Sequence, residues 1–130
     1  MMQSFAIACE YVWMKTYAAA ILALASVLST SVWAHAHLRT PSPAPDSTVA
    51  APAELRLGFS EGVEPAFSEV TLVNDKGEQV KTQVHRADGD DSTLIATPAL
   101  PLSTGAWDVQ WKVVSVDTHR SEGHYRFTIK

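Results

Sequence analysis

The chain has 130 residues, ten Lys plus Arg against fourteen Asp plus Glu, a formal net charge of -4, one Cys and 46% hydrophobic residues. That is the length of one small domain able to bury its own core, which excludes a multi-domain enzyme. A mildly acidic chain with no run of Lys or Arg lacks the electrostatic footprint that would neutralise phosphates, so nucleic acid is not expected as a partner.

The first feature in chain order is Ala18 to Leu28, an eleven-residue run of Ala, Ile, Leu and Val broken only by Ser26. Crossing a bilayer takes about 20 apolar residues. Residues 1–34 are therefore expected to be a secretory leader, with no stable membrane insertion after its removal. Read from Met1, the segment ahead of the run carries Glu10 as well as Lys15 and its charge sums to zero. Read from Met14, the sequence Met14-Lys15-Thr16 supplies the short basic start that such leaders have, so residues 1–13 are expected to be a start-site overhang and 14–34 the signal peptide. The exit Ser31-Val32-Trp33-Ala34 permits cleavage after Ala34, which makes His35 the first residue. Ala34-His35-Ala36 satisfies the same small-x-small rule and would expose His37 instead. Cys9, Met1, Met2 and Met14 all fall in the leader, so the exported domain, residues 35–130, contains no sulfur. Disulfides, thiolate metal sites and thioether ligands are excluded there.

Pro41, Pro43, Pro45 and Pro52 make residues 40–53 an irregular lead-in, because proline cannot donate to a strand ladder. Beyond it, apolar and polar residues alternate with period two, the pattern of half-buried strands. Leu55, Leu57 and Phe59 share one face, and Val70 and Leu72 continue the pattern up to a turn at Asn74-Asp75-Lys76-Gly77. Further strands are expected at Gln79–Val84, Thr93–Thr97 and Trp107–Val113. The last strand turns Tyr125, Phe127 and Ile129 inward against His124, Arg126, Thr128 and Lys130. With a short strand near Leu38 the count is seven. Without any helical periodicity, the expected fold is an all-β Greek-key sandwich or partly closed barrel of Ig-like architecture.

Three residues carry candidate chemistry: the processed N-terminal His35, Asp117 and His119. On an extended segment residues two apart point to one side, so Asp117 and His119 can address a single point. A terminal histidine offers its α-amine and one imidazole nitrogen, which close a chelate on one ion. His119 adds a third nitrogen and Asp117 an oxygen. Nitrogen and oxygen donors in a tetragonal array favour Cu(II), and Cu(I) would prefer sulfur that is not there. From spacing alone a metal site and a solvated Asp-x-His turn fit about equally well.

The start His35-Ala36-His37-Leu38, the segment Phe59-Ser60-Glu61-Gly62-Val63-Glu64 and the closing Val113-Val114-Ser115-Val116-Asp117-Thr118-His119 with Gly123-His124-Tyr125 resemble the CopC family of periplasmic copper-binding proteins, including its YobA-like members. The resemblance covers nearly all of residues 35–130. It implies a seven-stranded Greek-key fold, one Cu(II) per chain held by His35, Asp117 and His119, cleavage after Ala34, a periplasmic location, and Glu61 near the terminal amine behind the ligands. It also implies cooperation with a CopD-like inner-membrane copper protein. Some relatives carry a Met-rich loop for Cu(I). No Met follows the leader here, so this chain resembles the single Cu(II)-site branch, a carrier or buffer in copper homeostasis or resistance and not an enzyme.

Other candidates carry less. His37 is an alternative copper ligand through the terminal amine and main-chain amides, and otherwise an outward strand residue. His124 belongs to the polar face of its strand. The loop His85-Arg86-Ala87-Asp88-Gly89-Asp90-Asp91 lacks the ligand spacing of an EF-hand and reads as a solvated turn. Ser115, Asp117 and His119 are too close in sequence for a hydrolase triad. Trp107 and Trp111 are expected in the core. Two other function classes remain open: a copper oxidase or monooxygenase with a histidine brace, and a metal-free Ig-like interaction module.

Overall fold

The computed structural model describes residues 35–130. The expected leader at 1–34, with its start site, lies outside the described residues. Eight strands run in chain order: β1 (Leu38–Ser42), β2 (Thr48–Val49), β3 (Leu55–Phe59), β4 (Glu69–Asn74), β5 (Gln79–Ala87), β6 (Asp90–Pro98), β7 (Gly105–Val114) and β8 (Arg120–Ile129), with one 3-10 turn at Pro65–Phe67. Their order across the sheet is β1-β3-β6-β5-β4-β7-β8-β2. The sheet folds over at β5, whose first residues, Gln79 to Lys81, pair with β4, while Thr82 to Ala87 pair with β6. The result is an all-β sandwich or curled barrel, with the connections from β1 to β2, β2 to β3, β3 to β4 and β6 to β7 crossing between the two layers.

The alternation seen in the sequence is what closes the core. Leu55, Leu57 and Phe59 of β3, Val70 and Leu72 of β4, Leu94 and Ala96 of β6, the row Trp107, Val109, Trp111 and Val113 of β7, and Tyr125, Phe127 and Ile129 of β8 form one buried cluster. Each of these larger side chains contributes about 1.5–3 kcal/mol through the apolar surface it removes from water. Trp107 finds a partner for its ring nitrogen, which donates to the Ser103 carbonyl at 2.8 Å. Trp111 packs edge-on against Phe59, centroids 5.2 Å apart, and lies across Gly123, where an added Cβ would come within 2.5 Å of Trp111 Cζ2. Glycine at 123 is therefore set by the neighbouring indole.

Three expectations need correction. The lead-in is not irregular throughout. Thr40, Pro41 and Ser42 belong to β1, an edge strand where proline's missing N–H is tolerated, and Thr48–Val49 forms an eighth strand parallel to β8. Two residues are too short for a periodic signal. They are held by main-chain bonds from outside the strand, Asp46 N to Arg126 O at 2.7 Å and Lys130 N to Val49 O at 3.0 Å. The segment His85 to Asp91 is not a loop either. β5 runs to Ala87 and β6 starts at Asp90, leaving Asp88 and Gly89 as a tight turn with Gly89 at φ 73°. Finally, β8 begins at Arg120, earlier than its apolar row suggests. The turn at Asn74 to Gly77 forms as expected, with Asn74 Oδ1 accepting from Lys76 N and Glu78 N and Gly77 at φ 81°.

Candidate metal centre

The β7–β8 ladder runs from Gly105↔Ile129 to Val114↔Arg120, and beyond it the hairpin closes over three residues. Ser115 N donates to His119 O and Thr118 N to Ser115 O, each at 2.9 Å. Thr118 sits at φ 74°, the left-handed position that a three-residue hairpin loop ordinarily fills with glycine. Asp117 and His119 are therefore on a tight turn, not on the extended segment expected from their spacing. It is the reversal of the backbone at Thr118 that brings them side by side.

This turn is braced from the segment after β3. Val63 and Ser115 form an isolated bridge, Val116 N donates to Gly62 O at 2.9 Å, and Glu64 N donates to Val114 O at 2.8 Å. A Cβ on Gly62 would lie 3.0 Å from Val116 Cγ1, a tight contact that the exposed Val116 side chain would have to shift to relieve. Arg86 of β5 fixes the brace in turn, donating through Nε to Val63 O at 3.1 Å and pairing with Glu64 at 3.1 Å.

The start of the domain reaches the same place. Ala36 is buried, and its carbonyl accepts a hydrogen bond from Ser121 Oγ of β8 at 2.9 Å. His37 N donates to Ser60 Oγ at 2.9 Å, and Ser60 N donates back to His37 O at 2.8 Å. With Ala36 tied to β8 and His37 to the end of β3, the ring of His35 meets that of His119 edge to face, centroids 5.7 Å apart at 82°.

Asp117 Oδ1 gathers several donors. Ser115 Oγ donates to it, His119 N approaches it at 3.4 Å, and His119 Nδ1 lies 3.3 Å away. The Ser115 hydroxyl is the largest cause holding the Asp117 carboxyl below the usual carboxylate range, ahead of the His119 contacts, with partial desolvation opposing. The charged, metal-competent form is thereby favoured.

Among the described residues no group of three His, Cys, Asp or Glu side chains closes around one point as a preformed metal site. The two rings are close enough to share an ion, at a spacing that ordinary edge-to-face ring contacts also have. With metal–nitrogen bonds of about 2.0 Å, two imidazoles on one ion place their ring centroids between roughly 4.4 Å when cis and roughly 6.2 Å when opposed. The observed 5.7 Å falls inside that range. The donor set, two imidazoles and a carboxylate with the terminal amine that cleavage after Ala34 would release, is nitrogen and oxygen throughout and suits Cu(II).

Glu61 is half-buried immediately before Gly62, on the segment that braces the hairpin. The His37 side chain is exposed while its main chain is engaged by Ser60. His124 is exposed on β8, its Nδ1 bonded to Asp108 Oδ1 at 3.1 Å. His85 is exposed on β5. The Asp90 carboxylate is occupied by Ser92 and Thr93 and not arranged around a cation. Sequence reasoning missed the supporting residues Ser60, Arg86 and Ser121. It considered Ser115 only as a nucleophile, although one signal for it was available: Ser115 continues the inward row of β7, where alternation calls for an apolar side chain.

Residues 38–130 match the model of the CopC domain. The chain is 46% identical over 116 residues to Protein YobA of Escherichia coli strain K12, covering 88% of this chain and 93% of that protein. It is 37% identical over 116 residues to copper resistance protein C of Xanthomonas campestris pv. juglandis, covering 85% of this chain and 91% of that one. In three dimensions it is similar to the crystal structure of CopC from Methylosinus trichosporium OB3b, with a TM-score of 0.69 and 32% identity over 74% of this chain and 94% of that chain.

Proposed function

The chain belongs to the CopC family, and from that premise we propose that it is a periplasmic Cu(II) carrier or buffer in copper homeostasis or resistance, taking one ion per chain as cargo. The names of its relatives place the family in copper resistance. The observation that carries the specific reading is the meeting of His35 and His119 ring to ring, with Asp117 Oδ1 3.3 Å from His119 Nδ1. Residues from the two ends of the exported domain converge on one exposed spot.

The assignment of roles follows from the donors. His35 supplies its α-amine and an imidazole nitrogen once the leader is cut after Ala34, His119 supplies a second imidazole, and Asp117 supplies an anionic oxygen that favours the oxidised ion. Glu61, on the bracing segment, is assigned to the region of the terminal amine. Binding requires the amine and both imidazoles to be unprotonated, and free α-amines titrate near about 7.7 to 8.0, so loading releases protons and weakens in acid. An exposed site built from a chain terminus and a hairpin turn is open to a second protein, and the partner we assign is a CopD-like inner-membrane copper protein.

Electron paramagnetic resonance of the processed protein with one equivalent of Cu(II) tests the reading. Superhyperfine structure from three nitrogens is expected, reduced to two by His119→Ala. A spectrum that the substitution leaves unchanged contradicts it.

A further inference from the structure

Among the described residues Ser115 is the one buried side chain that is neither apolar nor aromatic, fully enclosed at 0% exposure. It occupies the next inward position after Trp107, Val109, Trp111 and Val113, in a row whose other members are apolar. Burying a hydroxyl in such a row is unfavourable unless it is bonded, so a serine there has to be explained by what it holds. Its main chain needs no hydroxyl: the Ser115 N–H closes the hairpin on His119 O, and the Ser115 carbonyl accepts from Thr118 N. Its hydroxyl has two acceptors in reach, Asp117 Oδ1 and, 3.1 Å from Ser115 Oγ, the His119 carbonyl.

From this geometry we infer that Ser115 is a positioning residue: it captures Asp117 Oδ1 from inside the core, fixes the carboxylate beside His119, and leaves Oδ2 as the oxygen presented to the cargo ion. The inference rests on the Cu(II) site proposed above and adds a residue that touches no metal. Oδ1 already faces three protein groups, the Ser115 hydroxyl, His119 N and His119 Nδ1. Oδ1 is the oxygen the protein engages, so Oδ2 is the freer one for an ion, and the orientation of the carboxylate is set before the ion arrives. Groups that orient ligands in this way are typically worth 10- to 100-fold in metal affinity, roughly.

A double-mutant cycle tests this on protein expressed with its leader, exported, and isolated after processing. Cu(II) affinities are measured by competition with a chromophoric chelator for the unsubstituted protein, Ser115→Ala, Asp117→Ala and the double variant. Thermal unfolding of the metal-free forms is followed in parallel. If Ser115 acts through Asp117, Ser115→Ala weakens Cu(II) binding by about 10- to 100-fold in the unsubstituted background and by less than about threefold once Asp117 is already alanine. Ser115→Cys keeps the size of the side chain but donates weakly, so it follows the alanine variant and serves if that variant fails to fold. Equal losses in both backgrounds, or no loss in either, overturn the assignment. Failure of the functional reading looks different: the unsubstituted, processed protein would then hold no Cu(II), whatever stands at position 115.

Discussion

Replacing Thr118 by glycine should stabilise the domain without disturbing the proposed Cu(II) site. Thr118 has φ 74°, a conformation that costs an L-residue roughly 1–2 kcal/mol, and β-branching makes it worse. Glycine relieves that strain but gives the unfolded chain more freedom, a loss of about 0.4–1 kcal/mol. The Thr118 side chain is exposed, so little packing is surrendered. The difference is a net gain of about 0.5–1 kcal/mol, equivalent to a rise in Tm of roughly 2–8 °C for a domain near this size. Urea unfolding of the metal-free protein measures it, with an unchanged slope expected because the same surface is exposed. The bonds that set the turn, Ser115 N to His119 O and Thr118 N to Ser115 O, use main-chain atoms that glycine retains. Cu(II) affinity should therefore stay within about threefold, well under the 1.4 kcal/mol of a tenfold change. A less stable Thr118→Gly variant would show that the turn is not under backbone strain and that the account of how Asp117 meets His119 is wrong.

Two further outcomes follow from the same structure. Ser121→Ala removes the hydroxyl bonded to the buried Ala36 carbonyl, leaving an unsatisfied acceptor at a cost of about 1–3 kcal/mol; unfolding experiments should show the loss, and Cu(II) titration should show weaker binding because His35 is no longer held toward His119. Asp90 is held below the usual carboxylate range mainly by the Ser92 and Thr93 hydroxyls. Its folded-state pKa lies below its unfolded one, so its contribution is present above pH about 3.9 and disappears as pH falls through the lowered value. The urea midpoints of the unsubstituted protein and Asp90→Asn should accordingly converge on acidification from pH 6 toward pH 3, and a gap that widens would reverse the sign of the argument.

Period-two alternation was enough to read the core strands, because each buries one face: Trp107, Val109, Trp111 and Val113, and then Tyr125, Phe127 and Ile129, are all buried as expected. Alternation says nothing where pairing rests on main-chain bonds. Thr48–Val49 is fixed by its neighbours on β8, and the far end of β5 carries exposed His85 beside half-buried Arg86, polar residues that read as a loop. The candidate ligands were visible as residue types, but their geometry was not. An Asp-x-His spacing does not announce a left-handed threonine, and nothing local in the sequence ties Ala36 to Ser121. Ser115 was legible in principle, as a hydroxyl standing in an apolar row.

The role assigned to His35 depends on a nitrogen that is an amide until the leader is removed. Cu(II) affinity should be compared between protein beginning at His35 and protein carrying one additional Met ahead of it, with unfolding curves to confirm that both are folded. A fall of more than about 100-fold in the extended form is expected, larger than the loss of an orienting group would give. Equal affinities in the two forms would mean that the terminal amine is not a ligand.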